Sequence, residues 1–218
     1  VSLRSFAVGA LAIGAFTFGC GAAEGDSDDA DSSSELLELG QAEFAITVPA
    51  KGTAATLDVA SWNLEWFGDT NNGPSNETTQ RNNARDVIAG ADMDIWGFAE
   101  IVSSSQWSTL KSQLTGYAGF LANESNVVDG ASFYGTSEQK VGLLYKSALA
   151  SVQDARIILT SSDSDFAGRP PLQVTLRVTL NGVTEDVIVI VMHPKCCSDT
   201  TSWQRRVNAS NALKSYLD

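Results

Sequence analysis

The chain has 218 residues, with 14 Lys+Arg against 26 Asp+Glu, one His and three Cys, and it is 43% hydrophobic and 18% charged. That balance excludes a wholly disordered chain and a polytopic membrane protein, and the length suits one domain with an appendage. A formal charge of −12 excludes a chain that coats nucleic acid through bulk positive charge.

The acid is unevenly spread. Eight acids and no base lie in residues 21–46, and Arg4 is the one base before them, so residues 47–218 carry only −5. Arg4 precedes an apolar and small-residue run from Phe6 to Phe18. This run is too short to span a bilayer but suits the core of a secretory signal, so residues 1–20 are expected to be a signal peptide and the protein to be exported. Gly19-Cys20-Gly21 places a small residue before a cysteine, which resembles a bacterial lipoprotein cleavage site. Cys20 would then be lipidated and hold the protein at the cell envelope. An ordinary secretory signal, releasing it outside the cell, is the alternative. Residues 21–50 read as a disordered acidic linker, because a Ser- and Asp-rich stretch of like charge cannot offset the entropy of ordering. Residues 51–218 read as the folded domain.

Short apolar runs alternate there with amphipathic stretches. Leu57–Asn63 reads as a strand, 70–78 as turns, and Thr79–Ala89 as a helix with Ala84, Val87 and Ile88 on one face. Asp94–Glu100 reads as a buried strand ending in a carboxylate, and Ser104–Leu114 as a helix. Strands are expected at Tyr117–Ala122, Val141–Lys146, Val152–Thr160, Leu172–Leu180 and Asp186–Met192. Asn181-Gly182 gives a hairpin signal between the last two. A final helix is expected from Thr201 to Leu217, facing Val207, Leu213, Tyr216 and Leu217 inward. The class is α/β with a mixed, largely antiparallel sheet.

Three polar residues end apolar strands: Asn63, Glu100 and His193. A strand buried on both faces has no use for a terminal carboxylate unless that end opens onto a site. Any one of them alone reads as readily as a capped strand end. Together, a carboxylate, an amide and an imidazole suit a divalent cation beside a phosphate, since Mg²⁺ takes one or two carboxylates plus substrate oxygens.

These residues resemble a family. Ser61-Trp62-Asn63-Leu64-Glu65-Trp66-Phe67 and Asp94-Ile95-Trp96-Gly97-Phe98-Ala99-Glu100-Ile101 are similar to the opening motifs of the endonuclease/exonuclease/phosphatase superfamily. Lys140–Lys146 resembles its central strand, Arg169-Pro170-Pro171-Leu172 its Arg-Pro-Pro step, and Val189–Lys195 its His-Leu-Lys strand end. The resemblance implies a four-layer fold, a two-sheet sandwich flanked by helices. It implies a phosphodiester hydrolase dependent on Mg²⁺ (or Mn²⁺ or Ca²⁺), with Glu100 as metal ligand and Asn63 orienting that carboxylate or touching the phosphate. Arg169 would bind phosphate. His193 would hydrogen-bond the scissile group, paired with Glu138 or Gln139. The expected substrate is nucleic acid, cut by an extracellular endonuclease. The alternatives are a phospholipid or inositol-phosphate phosphodiesterase and a non-catalytic surface lipoprotein that binds through the same fold. No protein partner is expected.

The pattern also breaks. The family completes its site with a later Gly-Asp-x-Asn loop and a C-terminal Ser-Asp-His, and neither stands in its place. Gly68-Asp69-Thr70-Asn71 has the letters of the first but follows the first strand, so it reads as a turn. The single histidine is already at 193. The expectation is therefore a domain lacking its last strands and inactive in the form given. Cys196 and Cys197 read as a disulfide or structural thiols before zinc ligands, for three donors with His193 at such close spacing match no standard zinc motif.

Overall fold

The computed structural model describes residues 11–14 and 46–218. Cys20, its lipidation, the leader apart from residues 11–14 and most of the acidic linker lie outside the described residues. In chain order the elements are β1 (Leu11–Gly14), β2 (Val59–Phe67), α1 (Glu77–Ala91), β3 (Ile95–Ile101), α2 (Ser104–Ser112), β4 (Tyr117–Leu121) and α3 (Gly130–Phe133). They continue with β5 (Lys140–Lys146), β6 (Ala150–Ile157), a 3-10 helix (Thr160–Phe166), β7 (Leu172–Leu180), β8 (Val183–Met192) and α4 (Thr200–Leu217). Among the described residues, no helix is long and apolar enough to cross a membrane.

The strands form two sheets, ordered β2-β3-β5-β4 and β1-β8-β7-β6. Only β2–β3 and β1–β8 are parallel; the other pairs are antiparallel. Three apolar clusters separate four layers. Ile95, Val141, Leu143, Leu172, Val174, Leu176, Val189 and Val191 fill the space between the sheets. Trp96, Phe98, Ile88, Trp107 and Leu110 join the first sheet to α1 and α2, and Ile190, Met192, Phe166, Ala209 and Leu213 join the second to α4 and the 3-10 helix. The expected four-layer α/β sandwich, mixed and largely antiparallel, is the observed one. The outer edge of β8 carries β1 along Val189–Met192.

Helix starts follow their caps. Asn76 accepts the Thr79 N–H, Ser103 that of Gln106 and Asp199 that of Ser202, so α1 begins before the expected Thr79. Asn181 and Gly182 both adopt positive φ (53° and 78°), the requirement of the two-residue hairpin turn expected there. Two elements escaped the periodicity, α3 and the 3-10 helix, each too short to show one. The inward face of α4 also differs from expectation. Ser202, Ala209 and Leu213 are buried, whereas Tyr216 and Leu217 are exposed. Tyr216 instead meets the second sheet through its hydroxyl, which bonds Gln173 Oε1 of β7 at 2.9 Å.

Strand parity brings the polar ends together. In β8, Val189 and Val191 face the other sheet, so His193, two residues on, faces the same way at the strand end. In β2, Val59 packs toward the inter-sheet core while Ala60, Trp62 and Leu64 pack toward the helices, which turns Asn63 inward. Gly97 of β3 lies against Val191; a Cβ there would sit 3.4 Å from both Val191 methyls. That close approach sets Glu100 and His193 at one end of the same gap.

Candidate active site

Simple alternation would send Glu100 into the helix-side core with Trp96 and Phe98. A bulge prevents this. The β3–β5 register shifts between Phe98 and Ile101, Glu100 adopts φ 64°, and Ile101 takes the helix-side position instead. Strand β2 bulges at the same level, where Glu65 and Trp66 take φ 47° and 51° and Phe67 regains the apolar core. Left-handed backbone at non-glycine residues costs of order 1–3 kcal/mol each. Here it aims one carboxylate, and one backbone N–H toward it, at the mouth between the sheets.

The Glu100 carboxylate is held from three sides. Asn63 Nδ2 donates to Oε1 at 2.8 Å, His193 Nε2 lies 3.2 Å from the same oxygen, and the Trp66 N–H donates to Oε2 at 3.2 Å. Burial alone would raise this acid's pKa; the bonds from His193 and Asn63, then the Trp66 N–H, outweigh it and hold it below the usual range. His193 is buried, and its Nδ1 has no hydrogen-bond partner among the described residues. Asn63 is fixed in turn by the Glu65 N–H, which donates to its Oδ1 at 3.0 Å.

Arg169 stands on a different support. It follows Ala167 and Gly168, both at positive φ (61° and 77°), and its Nη1 donates to Gln139 Oε1. Trp66, Ser137, Glu138, Gln139, Ala167, Gly168 and Arg169 line a cavity of about 290 Å³. Two buried groups fix its loops. The Tyr134 hydroxyl donates to Pro170 O at 2.7 Å, its ionisation pushed up by burial. Lys140 Nζ donates to Val102 O, Thr136 O and Glu138 O at 2.8, 2.8 and 3.0 Å. Burial pulls the Lys140 ammonium down to about 8, against the charge of Glu138.

Asn63 and His193 thus both contact Glu100. The expected partners of His193 are occupied elsewhere: the Glu138 carboxylate accepts the Gly135 N–H at 2.6 Å, and Gln139 is engaged by Arg169. Their loop is drawn toward Lys140 and Arg169, and the imidazole meets Glu100 instead. Gly68–Asn71 is a turn, with Asp69 accepting from Asn71 N–H and Asn72 Nδ2 at 2.9 and 3.0 Å. Phe67 and Trp107 are fully buried, whereas Trp66 lines the cavity. Tyr134 and the Lys140 cage went unread in the sequence. An apolar run flanking Lys140 gave the one signal, since a lysine opening a buried strand needs an acceptor set.

Among the described residues, no group of three or more His, Cys, Asp or Glu side chains could hold a metal ion. One anionic carboxylate beside an amide still fits Mg²⁺, which keeps several waters and takes few protein ligands.

No family model matches the chain, and no curated protein matches it in sequence. Solved structures do. Humanized TDP2 of D. rerio superposes with TM-score 0.52 at 14% identity, over 72% of this chain and 57% of that one. D. rerio TDP2 complexed with a single-strand DNA product gives TM-score 0.50 at 13% identity, over 74% and 54%. A β-hairpin deletion mutant of beta toxin from Staphylococcus aureus gives 0.49 at 12%, over 75% and 61%. The chain therefore spans little more than half the length of the TDP2 structures it matches. Its fold is that of these TDP2 structures.

Proposed function

We propose that this chain is a metal-dependent phosphodiesterase, exported and lipid-anchored through Cys20, and that its substrate is nucleic acid. The observation that carries the reading is the Glu100 carboxylate, held anionic by Asn63, His193 and the Trp66 N–H where β2, β3 and β8 converge. The single-strand DNA product held by D. rerio TDP2, a protein of this fold, favours nucleic acid over lipid.

Glu100, with Asn63 beside it, would hold a divalent cation, which when bound neutralises charge growing on the phosphoryl oxygens. Asn63 keeps the carboxylate turned to the mouth and off the helix-side core. His193 holds a proton at Nε2, within hydrogen-bond reach of Glu100, and donates it to a phosphate or leaving oxygen that takes the carboxylate's place. Arg169 offers its guanidinium to a second phosphate oxygen, the geometry suited to bidentate contact. Water attacks in line with the departing oxygen.

The test combines turnover and binding. With Mg²⁺ and a single-stranded oligonucleotide, cleavage above background that Glu100→Ala abolishes supports the enzyme. Tight oligonucleotide binding with a low rate unchanged in Glu100→Ala would instead make the chain a binding module. Hydrolysis of phospholipid vesicles but not of oligonucleotide would move the substrate to the lipid class.

A further inference from the structure

We propose that Cys196 and Cys197 form a reversible dithiol–disulfide couple on the loop between β8 and α4, with low-molecular-weight disulfides as its chemical partner. Both residues are free thiols and both are exposed, and their Sγ atoms lie 2.8 Å apart. Lys195 Nζ lies 3.3 Å from Cys196 Sγ and 3.8 Å from Cys197 Sγ, so a cation faces both. The loop is clamped from behind: Arg206 of α4 donates Nη1 to the carbonyls of Lys195, Cys196 and Cys197 at 2.9, 3.3 and 2.7 Å. Cys197 is held at φ 83°, a conformation that L-residues rarely adopt.

The two thiols are unequal. The hydrogen bond with Cys197, aided by Lys195 and by the charge of Arg169, holds the Cys196 thiol below its ordinary range despite some burial. The same bond pushes Cys197 up. Cys196 is therefore the attacking sulfur and Cys197 the resolving one. The Cys196 thiolate attacks one sulfur of RSSR, forming Cys196–S–S–R and releasing RS⁻. Cys197 then gives up its proton and attacks Cys196 Sγ, closing the ring and releasing the second RS⁻. The protein loses two electrons, RSSR gains them, and the two protons end on two RSH. Neighbouring Cα atoms sit about 3.8 Å apart across a trans peptide, short of the usual span of a disulfide, so the ring bond is strained and easily reduced. That makes the pair a couple and not a permanent staple. It stands three residues beyond His193, and its chemistry requires no phosphodiesterase activity.

The experiment uses the full chain with Cys20→Ser, which leaves Cys196 and Cys197 as its only cysteines. Exposure to oxidised glutathione is expected to lower the intact mass by about 2 Da and remove both titratable thiols, and dithiothreitol to restore them. Phenylarsine oxide is expected to bind one per reduced chain and none after oxidation. With Cys197→Ser, a single glutathione adduct is expected to persist on Cys196; with Cys196→Ser, Cys197 is expected to react at least about fivefold more slowly. Stable adducts on both cysteines of the parent, disulfide-linked dimers, or thiols that stay unreacted would each overturn the couple. Equal rates in the two single variants would overturn the assigned order of attack. Melting curves of each variant separate these outcomes from misfolding.

Discussion

The two halves of the candidate site are built in opposite ways. The Glu100 half stands on strands, its three side chains brought to one point by strand parity at Asn63 and His193 and by a bulge at Glu100. Most of its hydrogen bonds are internal. The Arg169 half stands on loops, between Tyr134 and Lys140 and between Phe166 and Leu172, and it borders an open cavity. A carboxylate that must stay ionised near a buried histidine needs rigid donors, which strands supply. A guanidinium that must meet phosphates of varied geometry can sit on loops, provided buried groups pin them. Tyr134 and Lys140 do that pinning.

The sharpest way to break the strand-built half is Glu100→Gln. It removes the anion while keeping the side-chain shape, and kcat on an oligonucleotide is expected to fall by about 10³ or more, with KM little changed. Stability gives a second reading. The Glu100 pKa is lowered by its bonds, so its contribution is present above the ordinary carboxylate range and is lost as pH falls through the depressed value. Urea melts of wild type and Glu100→Gln are expected to converge in acid. A constant gap down to the acid limb would mean that the carboxylate is not the ionised centre.

Arg169→Ala tests the loop-built half. It removes a charged phosphate contact worth about 1.5–3 kcal/mol, so the loss is expected as a 10- to 100-fold rise in KM with kcat falling less. If kcat fell alone, Arg169 would belong to the reacting centre and the division between halves would fail.

Lys140→Met separates support from chemistry. It leaves the carbonyls of Val102, Thr136 and Glu138 without their donor, each orphaned acceptor costing about 1–3 kcal/mol, offset in part by relief of a buried charge. A net loss of about 1–3 kcal/mol is expected by denaturant titration. The pH dependence has a fixed sign. Lys140 titrates near 8 when folded and near its ordinary, higher value when unfolded. The unfolded chain thus holds the extra proton between them, and wild-type stability should climb with pH across that window. In Lys140→Met the climb should vanish.

The same division explains what could be read in advance. Asn63, Glu100 and His193 were legible because each ends an apolar run, and the hairpin because Asn181-Gly182 demands positive φ. The bulges were not. Nothing in Glu65, Trp66 or Glu100 favours left-handed backbone; that conformation is imposed by Phe67 and Ile101 seeking the helix-side core. Tyr216 misled for a related reason: helical spacing gives the face a residue occupies but not how deeply that face is covered. Glu138 and Gln139 were placed near His193 by order along the chain, while their side chains answer to Gly135 and Arg169 across a loop.

Glu138→Gln is the smallest of these changes and decides that last point. The Glu138 carboxylate accepts one exposed backbone N–H, from Gly135, which a glutamine oxygen accepts equally well. If Glu100 is the partner that orients His193, the substitution should leave kcat, KM and the pH–rate profile within about twofold of wild type, since a surface change away from the reacting groups is worth about 0.5 kcal/mol or less. If Glu138 swings onto His193 Nδ1 when substrate binds, the substitution would weaken the contact that orients the imidazole, and kcat would fall well beyond that margin. The buried, unpartnered Nδ1 makes this outcome physically open to such a swing. A lower kcat with unchanged melting temperature would therefore transfer Glu138 from the loop-built half to the strand-built one.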